Sequence, residues 1–194
     1  MRLLHESRHP NLLQFVGATR VGTPIILSEL MPTSLRKEIE KSLLTRPQII
    51  KIAQDISAAL NYLHLWRPHP ILHRDVSSPN VLLEPCGSGI WKGKLSDYGS
   101  ANVVQSISAN SVVPGNPFYS APEAQFPEQH SPAMDVFSFG VLLMEMILRQ
   151  PPTSKLADKM TQCNSIKWPA MKRLVQRCIS RECQVRPFIA QSTH

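Results

Sequence analysis

Three residues carry the chemistry that this sequence offers: Asp75, Asn80 and Asp97. The first two lie in ILHRDVSSPNVLL at 71–83, an Asp five residues ahead of an Asn between two runs of Ile, Val and Leu. The third follows WKGKLS at 91–96. Carboxylate and amide oxygens at strand ends suit Mg²⁺, a hard cation that prefers oxygen ligands and usually arrives with phosphate. An Asp beside such a metal can also accept the proton of an attacking hydroxyl. Taken singly, each is an ordinary turn or cap residue; taken together and in this order, they are far more specific. Between Asp75 and Asn80 stand Val76, Ser77, Ser78 and Pro79, with no Lys or Arg among them.

The elements that must position these residues read as a little β followed mostly by α. Residues 12–30 place short apolar runs on either side of Val21-Gly22-Thr23-Pro24, the pattern of a hairpin. Ser34 can cap a short helix through Lys41. Thr45 reads as the N-cap of a longer helix with Pro47 in its first turn, where a missing N–H costs nothing. Ile49, Ile52, Ala53, Ile56, Leu60 and Leu63 share one face of that helix, and Pro68 and Pro70 end it. Strands are expected at 81–83 and 91–96, joined through Pro85, Gly87 and Gly89. No period is sustained from 98 to 120, as in a long functional loop. Ser131-Pro132 opens a helix that is apolar on nearly every side through Leu148, hence buried. A last helix starts at Pro169 with Met171, Leu174, Val175, Cys178 and Ile179 inward.

A length of 194 residues, 42% of them hydrophobic and 18% charged, fits one folded domain or one large lobe. No apolar run reaches the roughly 18–20 residues a membrane span needs, since Ser138, Gly140 and Glu145 interrupt the longest one. The start, MRLLHESRHP, is too charged for a signal peptide. A cytoplasmic chain is therefore expected, as the intracellular part if its parent is a receptor. The net charge of +7 permits acidic partners. The basic residues are scattered, however, so nucleic-acid binding is not expected. Cys86, Cys163, Cys178 and Cys183 form no CxxC and read as reduced thiols.

The chain resembles the eukaryotic protein kinase family, and within it the tyrosine-kinase-like group. His73-Arg74-Asp75 with Asn80 is similar to the catalytic loop. Asp97-Tyr98-Gly99 is similar to the metal-binding motif, with Tyr for Phe, and Ala121-Pro122-Glu123 to the APE motif. DVFSFGVLLMEM resembles the central helix and Arg186-Pro187 the closing arginine. HPNLLQFVGA and SDYG carry the likeness to the group. The resemblance implies an α+β, protein-kinase-like fold: the last strands of the small lobe and the hinge at 1–31, then a mostly helical large lobe at 32–194. It implies ATP and Mg²⁺ as cofactors and a protein as substrate, at Ser/Thr with Tyr left open. Asp75 would orient and deprotonate the acceptor hydroxyl, and Asn80 and Asp97 would hold the metal. Glu29, Leu30 and Met31 would form the hinge against adenine, with Ser28 behind it and Leu82 as the floor. Leu4, Phe15, His73 and Tyr98 would stack as an apolar spine. Asp135, a lone carboxylate in an apolar helix, needs donors, and the resemblance supplies the backbone N–H groups of the catalytic loop. Arg74 would face a phosphate on the 97–123 loop, where Ser106, Ser108 and Ser111 are candidates. Glu123 would pair with Arg186.

The chain also departs from the family. No GxGxxG occurs in it, and the Gly-rich loop, the strand Lys and its partner Glu would all fall ahead of Met1. The position that is Lys in Ser/Thr kinases is Ser77, and the Arg of tyrosine kinases is absent. Asn116 replaces the Thr of the G-T-x-x-Y pattern. Losing a charge-stabilising donor typically costs about 10²–10³ in rate, so slow catalysis is expected. The alternative is a catalytically impaired module that acts by binding protein.

Overall fold

The computed structural model describes residues 8–19, 23, 25–87, 89–97, 102–103 and 115–189. The chain opens on an antiparallel hairpin of β1 (Phe15–Ala18) and β2 (Ile26–Ser28), in which Phe15 faces Ser28 and Ala18 faces Ile26. Of its expected turn, only Thr23 is among the described residues. A second sheet runs in the order β3 (Thr33–Ser34), β5 (Val81–Pro85), β6 (Trp91–Leu95). The third pairs β4 (Ile71–Leu72) with β7 (Asn102–Val103), so the segment expected to lack structure contributes one short strand.

Five α-helices occur among the described residues. Ser34 caps α1 (Leu35–Lys41) by accepting from the Lys37 amide. Helix α2 (Arg46–His64) starts in a reciprocal box: Gln48 N–H donates to the Thr45 hydroxyl, and Thr45 N–H to Gln48 Oε1 at 2.8 Å. The same Gln48 side chain donates to Gly89 O, tying the cap to the β5–β6 turn. All six residues assigned to the inward face of α2 are buried. The helix closes at His64 with Leu65 as C-cap, ahead of Pro68 and Pro70.

Helix α3 (Pro132–Leu148) is buried without a break from Met134 to Met146, so it has no solvent face over most of its length. It ends on Arg149 in a left-handed conformation (φ 53°). A C-terminal left-handed residue is usually Gly. Here the Arg149 guanidinium earns its place by donating to Ile39 O and Glu40 O at 2.7 and 2.6 Å, which locks α3 to the end of α1. Helix α5 (Pro169–Cys178) crosses α3 at Gly140, where a Cβ would lie 2.5 Å from that of Cys178. Val175, Cys178 and Ile179 are buried as expected, whereas Met171 and Leu174 are only half-buried.

Helix α4 (Leu156–Asn164) has no counterpart in the sequence reading. Its helical apolar pattern is weak because Lys159 occupies a buried position; the ammonium reaches the carbonyls of Thr153 and Ser154. The region after α5 is braced by Arg186, whose guanidinium meets both Glu123 oxygens, at 2.5 and 2.9 Å. It also donates to Ala133 O and Ser180 O and lies over the Phe137 ring. The expected pair is present, and both side chains are buried. None of the four cysteines is joined in a disulfide, and no helix among the described residues is long and apolar enough to cross a membrane.

Candidate active site

The β5–β6 ladder brings Asn80 and Asp97 to the same end of one sheet. Val81 pairs with Leu95, which sets Asn80 beside Ser96. The Asn80 carbonyl accepts both the amide and the hydroxyl of Ser96, at 2.8 and 2.9 Å. Asp97 follows with φ 62°, a left-handed turn that Asp tolerates better than most residues. The turn redirects the chain at the end of β6.

The loop that holds Asp75 is organised from below by Asp135. This buried carboxylate accepts from the backbone of His73 at 2.9 Å and of Arg74 at 2.8 Å, and from His64 Nε2 at 2.8 Å. Burial alone would raise its pKa. The His64 hydrogen bond and charge, the nearby His73 and the Arg74 amide together outweigh that and hold it below the usual carboxylate range. Arg74 itself takes φ 66°, strained for a residue with a long side chain. The two bonds of Asp135 hold the two peptides that lead into this strained residue. His73 is fully buried, and burial lowers its pKa. The neutral ring donates from Nε2 to Ser96 O at 2.9 Å, and its Nδ1 accepts the Asp75 amide. Asp135, the Ser96 carbonyl, Asp75 and Asp97 all favour its charged form, but burial outweighs them.

Two arms grip the Asp75 carboxylate. Asn80 Nδ2 donates to Oδ2 at 2.8 Å and also to the Asp75 carbonyl at 2.9 Å. The backbone amide of Asn116 donates to Oδ1 at 2.9 Å. The second arm depends on Gly115, which has φ +84°; a Cβ there would strike Arg74 O at 2.2 Å. Only Gly permits so close an approach. The Asn116 side chain does not reach Asp75: its Oδ1 accepts from Phe118 N–H and shapes the turn instead. Ser77 is buried and contributes no charge.

The remaining expected residues lie at the end of β2, just after it, and in β5. Ser28 is exposed at the end of β2, and Leu30 is 97% exposed. Glu29 N–H donates to Gln14 O, so of the Glu29 backbone only the carbonyl is left for a ligand. Its side chain is tied to Lys94 Nζ at 2.5 Å and to Gln14 N–H. Met31 and Leu82 are half-buried. Leu82 points away from the core side taken by Val81 and Leu83, as strand alternation requires. Of the expected spine, Phe15 and His73 are described; Leu4 and Tyr98 lie outside the described residues, as do Gly99, Ser106, Ser108 and Ser111.

The donor set fits a hard cation. Both Asn80 side-chain bonds are made by Nδ2, so Oδ1 is the atom of this amide that could hold a cation, and Asp97 would add a carboxylate. Mg²⁺ takes only one or two protein oxygens and completes its shell with water and phosphate.

One cluster was missed in the sequence. Tyr119 OH donates to Glu145 Oε2 at 2.5 Å, and Ser78 and Arg36 complete the group. Glu145 is a second lone carboxylate in the apolar α3. The argument that singled out Asp135 applied to it equally, but it was read only as a break in an apolar run.

Comparison with known proteins bears on this geometry. The protein kinase domain family model matches residues 1–193. A probable leucine-rich repeat receptor-like protein kinase of Arabidopsis thaliana is 35% identical over 159 residues, 78% of this chain and 14% of the relative. A probable serine/threonine-protein kinase of the same plant is 30% identical over 209 residues, 98% of this chain and 20% of the relative. Dual specificity testis-specific protein kinase 2 of Homo sapiens is 33% identical over 155 residues, 77% and 26%. The chain thus spans well under a third of each of these relatives.

Proposed function

The chain belongs to the protein kinase family, and from that premise we propose that it supplies the catalytic and metal-binding half of an ATP- and Mg²⁺-dependent transfer of phosphate to protein Ser or Thr. The observation that carries this reading is the Asp75 carboxylate, fixed at both oxygens by Asn80 and Asn116. So held, Asp75 orients the acceptor hydroxyl and takes its proton. Asn80 Oδ1 and Asp97 would hold Mg²⁺, which would supply charge neutralisation for the transferring phosphate. The Glu29 carbonyl and the Leu30–Met31 backbone would take adenine, with Ser28 behind them and Leu82 beneath. In this reading residues 1–31 are the end of a small lobe and 32–194 the large lobe, acting in the cytoplasm on a protein partner.

Ser77 and Asn116 argue for low turnover, and the intact Asp75, Asn80 and Asp97 argue against none. The charge that would neutralise the phosphoryl group is missing, but the proton acceptor and the metal donors are all retained. The test is phosphate transfer from ATP to a generic Ser/Thr substrate with Mg²⁺, using this chain joined behind the small lobe of a related kinase. Slow transfer that Asp75→Asn abolishes is the expected result. Silence in this fusion, and in the same fusion with Ser77→Lys and Asn116→Thr, would overturn the reading in favour of a protein-binding module.

A further inference from the structure

Ser78 lies two residues ahead of Asn80, in the 3-10 turn Ser78–Asn80, and is fully buried. Its hydroxyl is 3.1 Å from Tyr119 OH and 3.1 Å from Glu145 Oε1. Tyr119 donates its single proton to Glu145 Oε2. Arg36 Nη2 approaches the phenol oxygen at 3.2 Å and Glu145 Oε1 at 3.3 Å. The Ser78 proton therefore goes to Glu145 or to the phenol oxygen, and in either case Ser78 is anchored to the same pair.

The connectivity closes on itself. Asn80 donates to Asp75 Oδ2. Ser78, in the same turn, bonds Tyr119. The Tyr119 amide donates to Asn116 O at 2.9 Å, and the Asn116 amide donates to Asp75 Oδ1. Both arms on the carboxylate are thus joined behind it by one hydroxyl contact. Ser138 reinforces the far side by donating to Tyr119 O at 2.9 Å.

We propose that Ser78 is a positioning residue: by clamping Tyr119 and Glu145, it holds the 115–121 segment against the catalytic loop and so fixes the orientation of the Asp75 carboxylate. That this orientation serves phosphoryl transfer rests on the function proposed above; the clamp itself does not. The cluster is suited to the task because it is buried and nearly saturated. Burial keeps the Tyr119 phenol protonated, aided by the negative Glu145 beside it, and burial likewise raises the Glu145 pKa. In such surroundings an unmade hydrogen bond is costly, so the segment has one low-energy seat. The clamp also matters more here than a charged loop would need, since neither Ser77 nor the Asn116 side chain holds Asp75 from above.

The test needs no nucleotide and no turnover. Amide hydrogen exchange is read by NMR on the ¹⁵N-labelled chain as wild type, Ser78→Ala, Ser78→Thr and Tyr119→Phe. Asn116 N–H reports the clamp, and Ile56 and Leu60 in α2 report global opening. Ser78→Ala should speed exchange at Asn116 by about tenfold, the loss of one charge-assisted hydrogen bond, and Tyr119→Phe, which also loses the contacts of the phenol with Glu145 and Arg36, by at least as much, with α2 unchanged. Ser78→Thr, which keeps the hydroxyl, should restore protection. Unchanged Asn116 exchange in the alanine variant, or a rise only in step with α2, would overturn the proposal. If Ser78→Ala does not fold, Tyr119→Phe decides by the same criteria. A silent kinase assay leaves this result standing, and a failed clamp leaves the kinase reading standing.

Discussion

At the scale of single residues, the chain departs from the family pattern at Ser77 and at Asn116. Ser77→Lys would bring a positive charge toward the transferring phosphate, and Asn116→Thr would put a hydroxyl where the amide oxygen now turns away to Phe118. In the fused kinase each should raise kcat, and together they should exceed the sum of the single effects in free energy if the introduced Lys and Thr bond one another, since residues in one network do not act additively. A double-mutant cycle on kcat/KM checks this; strict additivity would show that the two positions are independent. Asp135 gives a second residue-scale prediction. Its pKa is depressed in the folded state, so the folded protein binds that proton less readily than the unfolded chain. The stability it contributes is complete above the unfolded value of about 3.9 and is lost as pH falls through the folded value. Asp135→Asn should therefore be less stable than wild type at pH 7. The difference between the two should narrow below about pH 4, as followed by urea unfolding.

At the scale of elements, two junctions hold the helices in place. The Glu123–Arg186 pair joins the 3-10 turn at Pro122–Gln125 to the segment after α5, and both charges are out of solvent. Removing one partner of such a pair typically costs about 3–5 kcal/mol, because the other stays buried and unmatched. Glu123→Ala should lower the midpoint of thermal unfolding far more than Glu128→Ala, at an exposed and unpaired site in the neighbouring turn. The α3–α5 crossing is the other junction. Gly140→Ala would gain about 1 kcal/mol in helix propensity, yet the new methyl would overlap the Cys178 Cβ. Overpacking of this kind costs roughly 1–3 kcal/mol, so net destabilisation is expected. Cys178→Ala keeps the offending Cβ and should not rescue it; a rescued midpoint would show that the sulfur, not the Cβ, sets the spacing.

At the scale of the molecule, the β1–β2 hairpin stands apart in character. Val16, Ile26 and Leu27 are each more than half exposed, as are Ile25 and Leu30 beside the strands. The hairpin is anchored below: Asn11 Nδ2 donates to Gly93 O, Gly93 N–H to Asp55 Oδ2, and Leu95 N–H to Asn11 O. Its position relative to β6 is therefore fixed while its apolar side chains meet water. Exposed apolar side chains clustered on one hairpin favour association. The isolated chain should self-associate with rising concentration in light scattering, and Ile26→Lys with Leu27→Glu should reduce it. A monodisperse monomer at high concentration would show that the hairpin face is adequately covered.

The sequence by itself determined most of the local elements and nominated the site residues. Thr45 and Ser34 marked two helix starts because capping is a short-range hydrogen-bond event that a few neighbouring residues decide; at Ser131-Pro132 the start is set by Pro132 in the first turn, since Ser131 makes no cap bond. The order Asp75, Asn80, Asp97 nominated a chemistry because metal binding and proton transfer restrict which side chains can serve. Asp135 was legible too, since a carboxylate among Val, Phe and Leu must find donors. What only the tertiary structure decided lay in contacts between segments far apart in sequence. Helix α4 was hidden because a buried Lys159, satisfied by two carbonyls of the preceding loop, breaks the apolar pattern. The partners of Glu145 come from α1, the catalytic loop and the 115–121 segment, 109, 67 and 26 residues away, and no spacing rule links them. The grip of Asn116 on Asp75 is made by a backbone amide. Every residue but proline has one, so only the folded chain could show which amide it would be.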